Sequence, residues 1–308
     1  MAIAVFKKGG PEDFDDFTAL PKTVTQEKKW QDLNKAWWEA NPMRYDLTEK
    51  LAYAQGSKEY YEEIDRRFFS SVWQIMPWDK IPFDNLIDFG SLGQKDVLEI
   101  GVGCGSHAQL LSRAAKSFTG IDLTEYATKC STARLKCFNC EGTIIRADAT
   151  KMDFPDNSFD FVWSWGVIHH SANTRKILEE INRVLRPGGK VTVMVYHRSF
   201  WHTYVRGALY YGILRGEFFR KKSLNQVVQE TTDGALARYY TVSEWNNSLS
   251  DLFVVKKTLI LGSKSQIIPL PYNKTKEFLM SLIPNRLGRF IVNRPFIGFL
   301  MVSTFEKK

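Results

Sequence analysis

The sequence predicts an α/β fold built on a parallel, doubly wound sheet. Three observations carry that expectation. From Asp96 onward, short apolar runs alternate with amphipathic helical segments across short links; the first run leads into closely spaced glycines; the second and third lead into aspartates. Strand and helix in alternation is the pattern of right-handed crossovers around one parallel sheet.

KDVLEIGVGCG reads as a buried strand running into glycines, and SHAQLLSRAAK as the helix after it, with Ser106 as candidate N-cap. SFTGIDL is a second strand and TEYATKCSTARLKCFN a second helix, capped by Thr124. GTIIRADA is a third strand, and FDFVWSWG a fourth that follows the turn FPDNS. TRKILEEINRVL spaces its apolar residues as a helix and is stopped by RPGG, after which KVTVMVY reads as a fifth strand. The flanks differ. QEKKWQDLNKAWWEA and SKEYYEEIDRRFFSSVW make residues 1–85 an expected N-terminal helical cap. Residues 198–250, opening SFWHTYVRGALYYGILRG, read as a helical, aromatic insertion within a main domain of residues 86–308. LFVVKKTLIL and RPFIGFLMVSTFEKK look like two late strands.

The 308 residues are 44% hydrophobic, enough for a substantial core. The opening MAIAVFKKGG lacks the basic start and apolar run of a signal peptide, and no stretch approaches the ~18 uninterrupted apolar residues of a membrane helix. A cytoplasmic protein is expected. Cys137 and Cys140 form a C-x-x-C, but no second pair or H-x-x-x-H completes a zinc set, so no metal is expected. The net charge of +8 is uneven: residues 197–308 hold 17 Lys+Arg against 7 Asp+Glu, while residues 1–196 hold 25 against 27. A basic, aromatic last third suits an anionic substrate, a membrane surface or nucleic acid, or is simply a solvated face.

Gly101, Gly103 and Gly105 have G-x-G-x-G spacing between strand and helix, where backbone free to take positive φ lets a ligand approach closely. Ser106 and His107 follow, so the G-x-G-x-x-G of a dinucleotide site is broken. Glu99 extends the motif to E-x-G-x-G-x-G, Asp122 ends GIDLT and Asp148 stands in RADAT. With MDFPDNSFDFV, GVIHHS and LRPGG, residues 97–197 resemble the class I S-adenosylmethionine-dependent methyltransferases, specifically the type-11 small-molecule group. The resemblance implies a Rossmann-like, seven-stranded sheet, mostly parallel with its last strand antiparallel, and S-adenosyl-L-methionine as cofactor. It implies that Asp122, with Leu123 beside it, accepts from the ribose hydroxyls and that the Gly101–Gly105 turn lies under the methionine and ribose. Asp148 and Ala149 would face the adenine amine, Trp165 and its neighbours would border the methionine end, and Glu99 would order the loop. WEANPMRYD, KEYYEEIDRRFF and the TTDG of Thr231–Gly234 are similar to a bacterial subgroup of the same family. WSWG stands where amino-directed DNA methyltransferases carry N-P-P-Y, which disfavours DNA.

Methyl transfer needs nucleophile and methyl held in line with water excluded, and an acceptor hydroxyl or amine needs somewhere to lose its proton. His169 and His170 follow the fourth strand, at the sheet edge where cofactor and acceptor should meet. In an extended segment their side chains point opposite ways, so one of them, His169 by preference, faces the acceptor while His170 hydrogen-bonds within the loop. Both can equally be structural. Trp38, Tyr45, Tyr196 and Trp201 are expected to wall the acceptor pocket, with Trp37, Tyr60, His197 and Tyr204 as further candidates and Arg198 and Arg206 available to an anionic group. The expected activity is methyl transfer to a small sugar-containing, aromatic or amphiphilic metabolite. Two other classes remain open: an RNA methyltransferase, from the basic last third, and a regulatory protein that binds the cofactor without turnover.

Overall fold

The computed structural model describes residues 10–46, 49–220, 222–268 and 274–308. Two helices, α1 (Val24–Ala40) and α2 (Lys58–Ile75), precede the sheet, each opened by a hydroxyl cap: Thr23 accepts from Gln26 N and Ser57 from Tyr60 N. Strands and helices then alternate: β1 (Asp96–Ile100), α3 (Ser106–Ala114), β2 (Ser117–Asp122), α4 (Glu125–Cys137), β3 (Thr143–Arg146), β4 (Phe159–Trp165), α5 (Thr174–Val184) and β5 (Leu185–His197). Beyond them lie a π-helix (Trp201–Leu214), α6 (Leu224–Gln229), β6 (Tyr239–Tyr240), α7 (Val242–Leu249), β7 (Phe253–Leu261), α8 (Lys274–Ser281), α9 (Asn285–Val292) and β8 (Leu300–Lys307).

The strands order as β3-β2-β1-β4-β5-β8-β7, with the short β6 pairing beside the end of β5. Neighbours from β3 to β5 are parallel, and β8 runs antiparallel to both β5 and β7. The order reverses between β1 and β4, and at such a switch point the carboxyl ends of the strands open a crevice for ligand. One face of the sheet packs on α5 through Ile177, Leu178, Ile181 and Val184, with Trp245 and Leu249 of α7 beside them. The other packs on Phe68 and Val72 of α2, Ala108 and Leu111 of α3 and Leu135 of α4. Buried on both faces, the inner strands read as continuous apolar runs.

Three local expectations are corrected. Ser106 is not the N-cap of α3: Gly105, in a left-handed conformation at φ +80, takes that place without a side-chain bond, and Ser106 is the first helical residue. RPGG does not separate helix from strand; it lies inside β5 as an irregularity, where pairing jumps from Phe159–Leu185 to Phe161–Lys190 and Gly188 takes φ +73. The insertion is helical except for β6, and the late strands are separated by α8 and α9, which sequence periodicity did not reveal.

Burial holds three imidazoles neutral. Desolvation, helped by the Arg134 and Arg206 charges respectively, pushes His107 and His202 down to about 3, and desolvation with the His170 and Arg238 charges puts His169 well below 6.5. In the unfolded chain these rings titrate near 6.5, so below that pH the unfolded state binds protons that the folded state refuses, and stability falls as pH drops. Between about pH 7 and pH 5 the loss should be roughly 3–6 kcal/mol, seen as a falling urea midpoint. A midpoint indifferent to pH across that range would contradict the buried, neutral assignment.

Candidate active site

The glycine turn after β1 is fixed from below. Gly101 takes φ +84 with Val167 so close that a Cβ there would sit 2.2 Å from Val167 Cγ2; the loop after β4 therefore packs directly on the turn. Gly103 takes φ +53, and a Cβ there would meet nothing within 4 Å, so its open side is a cradle. Asp122 ties the turn to β2: Gly103 N donates to its Oδ2 (3.2 Å), and Thr124 N and Oγ1 donate to its Oδ1 (2.9 and 2.8 Å). Burial pushes the Asp122 carboxyl up against the opposing pull of those bonds, and the Glu39 charge adds to the rise.

Glu99 lies beneath the turn, 1% exposed, with Oε2 unpartnered. Among the described residues it shows no hydrogen bond to the loop it was expected to order; His107 Nδ1 lies 3.7 Å from its Oε1. Burial, then the Asp122 charge, raises its pKa well above 4.5. A buried carboxyl with a spare oxygen suits a cationic ligand, whose arrival favours the ionised form.

Helix α1 crosses this rim. Gln31 bridges two loops, donating to Asp148 Oδ2 (2.9 Å) and accepting from Ala172 N (3.0 Å). Glu39 accepts from Glu125 N and Tyr126 N, 2.9 Å each, and so caps α4 beside Asp122. Glu27 pairs with Lys176 (2.7 Å) and accepts from Asn173 Nδ2 (3.2 Å). Asp148 Oδ1 accepts from Thr150 N and Oγ1, Leu123 O accepts from Arg146 Nε (3.4 Å), and Ala149 packs at the edge of the core. Trp165, half-buried, stacks on Trp163 (5.6 Å) and meets Phe83 edge-on.

The histidine pair is not extended. Ile168–His170 is a 3-10 turn, and the two rings lie 4.1 Å apart, both buried, both against Tyr196. The opposite-pointing geometry fails because Gly166, at φ +76, turns the chain at the end of β4. His170 Nδ1 bonds outside its own loop, to Leu236 O (2.8 Å), and its ring meets Trp38 edge-on at 5.0 Å. His169 is fully buried with neither ring nitrogen hydrogen-bonded. Its ring sits 4.0 Å from that of Tyr196, whose hydroxyl donates to Asp233 Oδ1 (2.6 Å). Burial, then the Asp233 charge, holds the Tyr196 phenol protonated, far above its usual range.

TTDG supplies this wall. Asp233 takes the Tyr196 proton donor; Thr232 Oγ1 meets Tyr239 OH at 2.6 Å; and Gly234, at φ +78, lets the chain pass where a Cβ would lie 2.4 Å from His170 Nδ1. Arg238, fully buried, gives Nε to Ala19 O (2.8 Å), Nη2 to Ala172 O (2.7 Å), Nη1 to Ser171 O and its backbone N to His169 O (2.8 Å). One guanidinium thus binds the N-terminal segment, the histidine loop and the insertion. Asp233 and Arg238 were missed in the sequence, although D-G and the isolated arginine in ALARYY were their signals.

Tyr45 stands near the same wall: at φ +57 it stacks on Phe68 (4.9 Å), its carbonyl accepts from Arg67, and both burial and the Asp233 charge raise its phenol. The other residues expected at the wall have partners of their own. Trp201 gives its indole N–H to Gln266 O (2.6 Å), His197 Nδ1 bonds Gly298 O (2.7 Å), and Tyr60 meets Tyr126 OH (3.1 Å). Tyr204 is half-exposed beside Phe200, and Trp37 packs edge-on against Trp38. Arg198 pairs with Glu244 and Arg206 bonds His202 Nε2 (2.8 Å), so both arginines already have partners.

Residues 98–193 match the family described as Methyltransferase domain, type 11. Phthiotriol/phenolphthiotriol dimycocerosates methyltransferase of Mycobacterium tuberculosis is 38% identical over 100 residues, 32% of this chain and 36% of that one. Sterol 24-C-methyltransferase of Yarrowia lipolytica is 29% identical over 193 residues, 54% of this chain and 50% of that one. The chain therefore spans about a third to a half of the length of these relatives. Geranyl diphosphate C-methyltransferase from Streptomyces coelicolor shares the fold, with TM-score 0.55 and 12% identity, covering 94% of this chain and 100% of that one.

Fold and glycine turn together are those of the class I methyltransferase fold. Residues 98–193 carry the match to the type-11 Methyltransferase domain family. The site fits S-adenosylmethionine on its own geometry: the open cradle at Gly103 and the unpartnered Glu99 oxygen suit a ligand carrying both a sulfonium and an ammonium. Asp122 and Asp148 would hold its polar ring substituents. Affinity for S-adenosylmethionine should then rise with pH as Glu99 loses its proton, and Glu99→Gln should flatten that dependence in calorimetric titrations. An unchanged slope in the variant would remove Glu99 from the site.

Proposed function

We propose that the chain is a cytoplasmic methyltransferase that moves the methyl of S-adenosylmethionine to a small, amphiphilic, hydroxyl-bearing acceptor at the His169–Tyr196–Asp233 wall. The observation that carries this reading is His169: a buried, neutral imidazole with two unpartnered nitrogens, on a loop that packs against the glycine turn through Val167. The bound donor supplies a methyl activated on a sulfonium. The chain supplies the rest. His169 takes the proton that the acceptor hydroxyl loses, which as general-base assistance contributes about 10²–10⁴ in rate. Tyr196, kept as a phenol, is anchored by Asp233 and presents a fixed aromatic surface, while Trp38 and Tyr45 contribute further apolar faces. Helices α1 and α2, as a cap on the substrate side, keep water from the reacting atoms.

Relatives named for a sterol and for phthiotriol dimycocerosates support a largely apolar acceptor. The test is incubation of the purified protein with methyl-labelled S-adenosylmethionine and fractionated bacterial extract. Label should enter the organic-soluble small-molecule fraction. Label confined to RNA or protein would overturn the acceptor class.

A further inference from the structure

Thirteen of the nineteen large hydrophobic side chains that stand exposed among the described residues fall between residues 200 and 296, under a third of the chain. On the π-helix and the residue that caps it, the exposed Phe200, Tyr204, Leu209 and Ile213 recur at intervals of four, five and four. At roughly 4.4 residues per turn of the wider winding they make one stripe, opposite the buried His202, Thr203, Gly207 and Gly212. The stripe continues onto the neighbouring segment. Phe200 stacks on Phe296 at 4.8 Å, and Trp201 N donates to Phe296 O (3.0 Å). Just before it, α9 exposes Leu287 and Phe290, one helical turn apart, with the Arg294 guanidinium 4.3 Å over the Phe290 ring. Helix α8 exposes Phe278 and Leu279, with Leu282 just beyond its end. It adjoins the π-helix closely enough that, after burial, the Arg206 charge is what depresses the Lys276 ammonium.

The charge on this face is predominantly positive. Segments 199–216 and 262–298 carry eight Lys/Arg and a single acidic residue, Glu277. Arg215, Lys274, Arg286 and Arg294 are exposed and form no ion pair among the described residues. Large aromatic and aliphatic side chains interleaved with unpaired cations match the interface of an anionic bilayer, where apolar groups sit at the acyl boundary and cations meet lipid phosphates. Leu282, Leu287, Leu209 and Ile213 have no base to stack on, so the face suits a bilayer better than RNA.

We propose that the face formed by the π-helix, α8 and α9 docks on an anionic phospholipid bilayer. The inference deepens the amphiphilic-acceptor reading and rests on it for its purpose: the inner side of the same π-helix places His202 5.3 Å from Tyr239, which stacks on Tyr196 of the acceptor wall. The docking surface and the proposed site thus share one element.

The test is co-sedimentation of the full chain with vesicles of phosphatidylcholine alone or mixed with phosphatidylglycerol, at low and high salt. Binding should be roughly a hundredfold stronger on the anionic vesicles and should weaken with salt. Leu287→Ser with Phe290→Ser should lower it about tenfold. Arg286→Glu with Arg294→Glu should reduce the preference for anionic lipid. Thermal unfolding of each variant verifies that it folds. Equal, negligible sedimentation with both vesicles overturns the proposal; so does self-association abolished by the Leu287/Phe290 pair, or salt-sensitive retention of RNA in place of vesicles. Donor calorimetry on the same samples keeps the two readings apart, since absence of S-adenosylmethionine binding would defeat methyl transfer and leave the vesicle result standing.

Discussion

Replacement of His169 by asparagine should lower turnover by about 10²–10⁴-fold while S-adenosylmethionine affinity stays within about twofold, because the role proposed for the imidazole is to take the acceptor's proton and not to hold the donor. The buried position makes the pH profile diagnostic. Desolvation, the His170 charge and the Arg238 charge keep the ring neutral well below pH 6.5, so the base form persists where a solvent-exposed histidine would be protonated. The wild-type kcat should therefore hold its plateau as pH falls through 6.5 and decline only in more acid solution. Tyr196→Phe separates chemistry from packing: it keeps the ring beside His169, removes the bond to Asp233, and should cost less than the histidine change. A variant that turns over at the wild-type rate with the acceptor identified by labelling would make His169 structural.

Replacement of Asp122 by alanine weakens S-adenosylmethionine binding by roughly a hundredfold or more. A carboxylate that accepts charge-assisted hydrogen bonds from a ligand contributes about 1.5–3 kcal/mol for each, and the proposed donor site has Asp122 accept from two hydroxyls. It also receives Gly103 N and both donors of Thr124, so its loss loosens the turn that forms the cradle. Asp122→Asn keeps one acceptor oxygen, enough for Thr124 or for Gly103, and turns an NH2 donor toward the other while losing the charge, so it should fall between wild type and the alanine variant. Calorimetric titration of the three proteins reads both contributions. Equal affinities across the series would take Asp122 out of the donor site.

What was legible in the sequence is what local spacing encodes. The turn at Gly101–Gly105 and the carboxylates Asp122 and Asp148 each sit at a strand end, so the strand pattern alone brings them to one edge of the sheet. The acceptor wall was legible only in parts, because its members meet across large separations. Tyr196 reaches Asp233 across 37 residues, and Arg238 reaches Ala19 across 219. The geometry of the histidine pair depended on a left-handed glycine, Gly166, that converts an assumed extension into a turn. RPGG looked like a stop because glycine and proline interrupt helices, yet the same residues fit a bulge within β5. Helices α8 and α9, eight residues each, are too short to display a period, and the winding of residues 201–214 at π pitch leaves no mark that a helical period of 3.6 would detect.

The glycine turn, Glu99 and Asp122 are proposed to form one methyl-donor site. The most direct measurement is equilibrium titration of the intact wild-type protein with S-adenosylmethionine and, separately, with NAD. The geometry predicts saturable binding of S-adenosylmethionine at one site, displaced by S-adenosylhomocysteine, with NAD far weaker. Binding of NAD in preference, or no saturable binding of S-adenosylmethionine, would contradict it.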